Sequence, residues 1–208
     1  MQSLKTDMFS KLKYFFLFLA IILSACSQKK KKYDKPTIDI QTYYGDIIVE
    51  LYPDKAPKTV AAFLSYVDSG FYRNTSFYRV LKKEDQAMNT DKAQLIQGGL
   101  WLTKLKKQQA IPGIPLETTK QTGILHKEGV ISLARGVEAN SGNTEFFICM
   151  DDEPDYDYGG DASPDKKGYA TFGKVIDGMK YVDQIHEQPD FETNFRPPIK
   201  IINIVRLN

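Results

Sequence analysis

Two short stretches hold the residues best placed to do chemistry. "SFYRV" (residues 76–80) sets an arginine, Arg79, into an apolar, aromatic run that otherwise reads as a sheet strand. "QLIQGG" places Gln97 eighteen residues later, directly ahead of Gly98 and Gly99. A guanidinium is a permanently charged donor and carries no acceptor. Taken singly, an arginine in a strand is an outward charge and Gln-Gly-Gly a tight bend. Chemistry that requires a nucleophile has little to draw on. The chain has no Ser-His-Asp set in a nucleophile elbow, no phosphate-binding loop and no metal-spaced group of His and Cys. Its two histidines, His126 and His186, are sixty residues apart and are expected at the surface or in loops. Cys149 lies in the apolar run "FFICM" and is expected to be a buried structural thiol. The acidic segment 151–165 fails as a calcium loop. Counted from Asp155, Asp157 fits the third position, but Gly159 fills the fifth and Lys166 the twelfth, where an acid is needed. A solvated loop is expected there.

The elements that must position Arg79 and Gln97 follow from pattern. "TIDIQTYYGDIIVELY" alternates on both sides of a Tyr-Gly-Asp turn, with Ile38, Ile40 and Thr42 on one face and Ile47, Val49 and Leu51 on another. This is a hairpin. In "PDKAPKTVAAFLSYVDSG", Pro57 suits a first helical turn. Val60, Phe63, Leu64 and Val67 share one helical face, and Gly70 closes the helix. "SFYRVL", "LIQGGLWL", "VISLAR", "TEFFICM", "GYATFGKVI" and "IKIINIVRL" read as further strands, and residues 104–129 as mostly loop. A second, shorter helix follows Asp177, with Met179, Val182 and Ile185 inward. Seven or eight strands joined by short loops favour a mainly β fold, a closed antiparallel barrel capped by two helices, since closure removes sheet edges.

The chain has 208 residues, 42% of them apolar, enough for one domain with a sizeable core. The net charge of +2 is unevenly spread. Residues 1–32 hold seven lysines and one aspartate, which leaves 21 basic and 25 acidic residues in 33–208. A body of about −4 argues against nucleic acid as partner.

The N-terminal segment reads as an address rather than as fold. Lys5, Lys11 and Lys13 flank the apolar run 14–25. Twelve residues are too few to span a bilayer as a helix and suit the core of a signal peptide. The run ends in "LSAC", and small residues before Cys26 resemble the lipobox of bacterial lipoproteins. The resemblance implies cleavage before Cys26 and lipidation of that residue. The expected division is therefore 1–25 signal peptide, 26–35 lysine-rich tether and 36–208 domain. The expected location is a bacterial envelope, with the domain facing the periplasm.

Several motifs together resemble one family. "APKTVAAFLSYVDSGFYRNTSFYRV", "IQGG", "HKEGVISLAR", "NTEFFI" and "GYATFGKVIDGM" occur in the order and approximate spacing of the cyclophilins, which are peptidyl-prolyl cis-trans isomerases. The likeness runs over about residues 36–208. It implies an eight-stranded barrel, no cofactor, and proline-containing polypeptides as partners of a monomeric enzyme. A prolyl bond rotates over a barrier of about 18–20 kcal/mol without any bond being made or broken, so no nucleophile or base is required. The family likeness makes Arg79 the donor to the prolyl nitrogen and Gln97 its orienting partner. It places Leu95, Phe147 and Tyr169 around the proline pocket, and Ala134 with the backbone of Arg135 beside a neighbouring groove. Alternation alone says only that Phe146 and Phe147 face opposite ways.

The chain also departs from the family pattern. Arg79 and Gln97 are about ten residues further apart than usual, which puts a polar insertion over 81–94 beside the site. Gln94 stands where an aromatic residue is usual, and Tyr78 where a histidine is common. "LWLTKLKKQQA" replaces a glycine-rich loop, and Tyr156 lies near the position of a missing tryptophan. These departures leave two other readings to weigh: a peptide-holding chaperone with little turnover, and a structural lipoprotein.

Overall fold

The computed structural model describes residues 32–83 and 93–208. The expected signal peptide, Cys26, most of the expected tether and most of the 81–94 insertion lie outside the described residues. Nine strands form one antiparallel sheet: β1 (Thr37–Thr42), β2 (Asp46–Leu51), β3 (Thr75–Leu81), β4 (Leu95–Gly99), β5 (Val130–Leu133), β6 (Phe146–Cys149), β7 (Ala170–Asp177), β8 (Asp190–Phe191) and β9 (Asn194–Arg206). The lateral order is β1-β2-β7-β5-β6-β4-β3-β9-β8, and β1 also pairs with β9. That last pairing closes eight strands into a barrel and leaves the two-residue β8 as a hairpin partner of β9. Mainly β, closed and antiparallel is therefore the observed architecture.

The interior is filled from alternate strand positions, as the period of two requires. Ile38, Ile40, Ile47, Val49, Leu51, Phe77, Ile96, Ile131, Phe146, Ile148, Phe172 and Ile201 belong to one buried cluster. Helix α1 (Pro57–Asp68) adds Val60, Phe63, Leu64 and Val67 to it. The Phe63 ring stands 4.9 Å from Phe172 and 5.7 Å, edge-on, from Phe146. Pro57 opens α1 where its missing N–H costs nothing. The helix closes in a Schellman motif. Gly70, at φ +65°, donates to Val67, and Phe71 donates to Tyr66 while their rings stack at 5.6 Å. The α1 N-terminus has no cap of its own. The buried Glu117 carboxylate takes the N–H groups of Lys58 and Thr59 instead, at 3.1 and 2.8 Å.

The segment 104–129 holds more structure than its sequence suggests. It carries α2 (Leu105–Ala110) and the four-residue α3 (Thr119–Thr122). α2 buries no residue, so it has no apolar period to betray it. α3 is held by a capping box between Thr118 and Gln121 and by Gly123 in the left-handed region. The capping-box pattern was present in the sequence. With α4 (Met179–His186), which buries Val182 and Ile185, the described residues contain four α-helices rather than two.

Candidate active site

The site is built on the outer face of the barrel. Strand registers bring Arg79 opposite Gln97, Gln97 opposite Phe147, and Phe147 opposite Ser132. One lateral row across β3, β4, β6 and β5 therefore collects residues from four distant stretches of chain. The next row along the strands holds Leu81, Leu95 and Cys149. Phe147, Leu95, Leu81, Ala93 and Cys149 form a second buried cluster, apart from the barrel interior, with Ala134, Tyr156 and Tyr169 packed against it. Phe146 is core and Phe147 belongs to this outer patch, which resolves the choice that alternation left open.

The polar half of the row is a chain of hydrogen bonds. Arg79 Nη1 donates to Gln97 Oε1 at 3.1 Å. Gln97 Nε2 donates to the Tyr78 hydroxyl at 2.8 Å, and that hydroxyl donates to Glu145 Oε2 at 2.9 Å. Tyr78 and Arg79 are sequence neighbours and would face opposite ways in a regular strand. A register shift between Phe77 and Arg79, in the pairings with both β4 and β9, places a bulge at Tyr78. Bulges re-aim side chains in this manner. Burial, reinforced by the Glu145 charge, drives the Tyr78 hydroxyl far above the usual tyrosine range, so it stays a donor.

The apolar half rests on buried polar groups. The His126 ring lies parallel to Phe147 at 5.8 Å. Its Nδ1 is 2.7 Å from Asp157 Oδ1 and its Nε2 is 3.0 Å from Ser132 Oγ. Ser, His and Asp thus come together, but Ser132 is fully buried and His126 is 1% exposed, so no substrate reaches the hydroxyl. The group is a floor under Phe147. Burial holds the His126 pKa below its ordinary value, against the pull of Asp157. His126 is therefore no surface histidine, and the 151–165 stretch is no purely solvated loop: Asp157 braces His126, and the buried Glu153 takes the Gln94 N–H at 2.7 Å. Tyr169 meets Phe147 edge-on at 5.6 Å and stacks on Tyr156 at 5.1 Å.

A groove of about 370 Å³ runs beside the row, lined by Tyr78, Gln97, Trp101, Ala134, Arg135 and Glu145 among others. Ala134 borders both groove and apolar patch. The Arg135 side chain is committed elsewhere. Its guanidinium holds the carbonyls of Gly136, Val137 and Gly168 and pairs with Asp165. Cys149 is buried, and its thiol is pushed well above the usual range by burial. His186 bonds the carbonyl of Leu81 at 2.9 Å, away from the row.

The family described as "Cyclophilin type peptidyl-prolyl cis-trans isomerase/CLD" matches residues 37–207, nearly the whole described domain. The chain belongs to the cyclophilins. Similar proteins include "Peptidyl-prolyl cis-trans isomerase" of Acinetobacter baylyi, 30% identical over 191 residues, which covers 89% of this chain and 93% of the relative. "Peptidyl-prolyl cis-trans isomerase B" of Escherichia coli is 32% identical over 148 residues, 71% of this chain and 82% of the relative. A Cryptosporidium parvum cyclophilin, solved in the presence of the dipeptide Ala-Pro, shares the fold with a TM-score of 0.63 at 24% identity, over 81% of this chain and 97% of the other.

In this cyclophilin the sequence-expected residues Arg79, Gln97, Leu95, Phe147, Tyr169 and Ala134 converge, and Arg135 lines the adjoining groove. The sequence shows Tyr78 only as a departure from the family's usual histidine; Glu145 and the His126–Ser132–Asp157 floor emerge from the structure. Glu145 had a usable signal, since it lies two residues before Phe147 and shares its outward face. Tyr78 had none, because its direction depends on a bulge.

Proposed function

We propose that the chain accelerates rotation about Xaa-Pro bonds in exported polypeptides while tethered to a bacterial envelope through Cys26. The observation that carries the catalytic reading is the Arg79–Gln97 pair, 3.1 Å apart, beside the apolar patch of Leu95, Phe147 and Tyr169. In the twisted state of a prolyl bond the nitrogen regains its lone pair and accepts a hydrogen bond. Arg79 supplies the donor, Gln97 orients it, and the patch grips the proline ring. Only an interaction stronger in the twisted state than in the planar ones speeds rotation. A hydrogen bond to a charged group contributes about 1.5–3 kcal/mol, or about 10 to 150-fold. Preorganisation and the apolar grip supply the remainder.

The anchoring part of the reading is supported by the 14–25 apolar run and the "LSAC" motif. Exchange NMR on an Xaa-Pro peptide tests the activity: cis-trans exchange cross-peaks that intensify at catalytic protein concentrations support it. Peptide binding without faster exchange selects a holding chaperone instead. Fractionation tests the anchor. Cys26→Ala is expected to move the protein from the membrane to the soluble envelope fraction, and unchanged membrane retention contradicts lipidation at Cys26.

A further inference from the structure

We propose that Tyr78 and Glu145 are positioning residues of the isomerase: Glu145 sets the direction of a hydrogen-bond chain that locks the Gln97 amide with its carbonyl oxygen toward Arg79. The proposal rests on the catalytic reading of Arg79 given above. It starts from the donors that face Glu145. Its carboxylate takes the Tyr78 hydroxyl at 2.9 Å, the N–H groups of Leu100 and Trp101 at 2.8 and 3.1 Å, and the Thr144 hydroxyl at 3.0 Å. All four donate, so the ionised, acceptor-only form fits the site. Tyr78 has one hydroxyl proton, and it donates that proton's hydrogen bond to Glu145. The phenolic oxygen can then only accept, which requires the NH2 end of Gln97 to face it. The other end of the amide, Oε1, is left toward Arg79 Nη1. The opposite amide orientation would set an NH2 group against a guanidinium.

Backbone features make room for this chain. The bulge at Tyr78 brings the phenol to the same side as Arg79. Gly99, at φ +146°, lies against Glu145, and a Cβ there would fall inside the carboxylate. The second glycine of Gln-Gly-Gly is thus a berth for Glu145 as well as a bend. The alternative is that Glu145 serves only to tie the turn at 100–101 to β6. Glu145→Gln separates the two roles. Its one carbonyl oxygen can keep the Leu100 and Trp101 bonds, while its NH2 presents a donor to Tyr78. The Tyr78 proton must then point to Gln97, and the amide turns over.

The experiment compares wild type, Tyr78→Phe, Glu145→Gln, the double variant and Arg79→Ala in an Xaa-Pro peptide exchange assay, with thermal melts alongside. Each single variant is expected to lower kcat about tenfold, the size of one charge-assisted hydrogen bond, with KM within about twofold. The double variant is expected to be no worse than the poorer single one, because the chain breaks only once. Wild-type kcat in both single variants, or a loss in the double equal to the product of the two, overturns the proposal. Tyr78→Phe removes only a hydroxyl and carries the test should Glu145→Gln melt early. An active Arg79→Ala refutes the underlying catalytic reading; an inactive Arg79→Ala beside fully active Tyr78→Phe and Glu145→Gln refutes the positioning chain alone.

Discussion

Phe146 points into the barrel, where its ring meets Phe63, Tyr72 and Phe77 edge-on at 5.7–5.8 Å. Its neighbour Phe147 points outward onto His126, Tyr156 and Tyr169. Both are buried, at 0% and 2% exposure, yet the two regions are built differently. Inside the barrel, apolar side chains supplied by alternate strand positions and two helices meet one another. Outside, a small apolar patch is held from beneath by His126 and from the side by the Tyr78–Glu145 chain. The interior keeps the fold together by bulk. The patch keeps a shape by buried polar contacts, each of which is costly to leave unmade. On the proposed reading, a surface that grips a proline ring and aims a guanidinium needs that second kind of support.

Breaking the two regions separately should give different losses. Phe146→Ala removes a ring from the closed interior and is expected to cost about 3–5 kcal/mol of stability, read by urea denaturation, with the surviving folded protein still active. Phe147→Ala opens a space beside the site and is expected to cost less stability but to raise KM for an Xaa-Pro peptide severalfold. Equal stability losses with unchanged KM would erase the distinction between core and patch. His126→Leu leaves the buried Ser132 hydroxyl without its ring partner, while Asp157 keeps the N–H of residue 126, and about 1–3 kcal/mol should be lost. A variant as stable as wild type would show that the floor under Phe147 is dispensable.

The remaining effect is electrostatic and shows only as a pH dependence. Burial, helped by Asp151 and opposed by the Gln94 N–H, raises Glu153 from an ordinary 4.5 to about 7. The folded protein then holds a proton that the unfolded chain has released between those values. The contribution to stability is complete below pH 4.5 and is lost as pH rises through 7. Glu153→Gln is expected to flatten that decline, measured as urea midpoints at pH 5 and pH 8. A wild-type slope in the variant would refute the assignment.

The same contrast explains what could be read before folding. The interior was legible, because period-two alternation in 37–51 and an i, i+3, i+4, i+7 stripe in 57–68 each mark one buried face. Arg79, Gln97 and Phe147 were legible as motifs. Most of the supports were not. Tyr78 turns on a bulge, and His126 is buried beside an acidic loop that reaches it through Asp157; Glu145 was legible by alternation with Phe147, but its hydrogen bond to Tyr78, 67 residues away, was not. Helix α2 escaped notice because it buries nothing.

In the proposed mechanism a guanidinium held by Gln97 drives rotation while the patch binds the proline. Exchange NMR on one Xaa-Pro peptide, with affinity measured in the same samples, tests it in Arg79→Ala. The account predicts exchange slowed by about 10 to 150-fold while the peptide dissociation constant stays within a few fold of wild type. Exchange at the wild-type rate in a folded Arg79→Ala protein would contradict it.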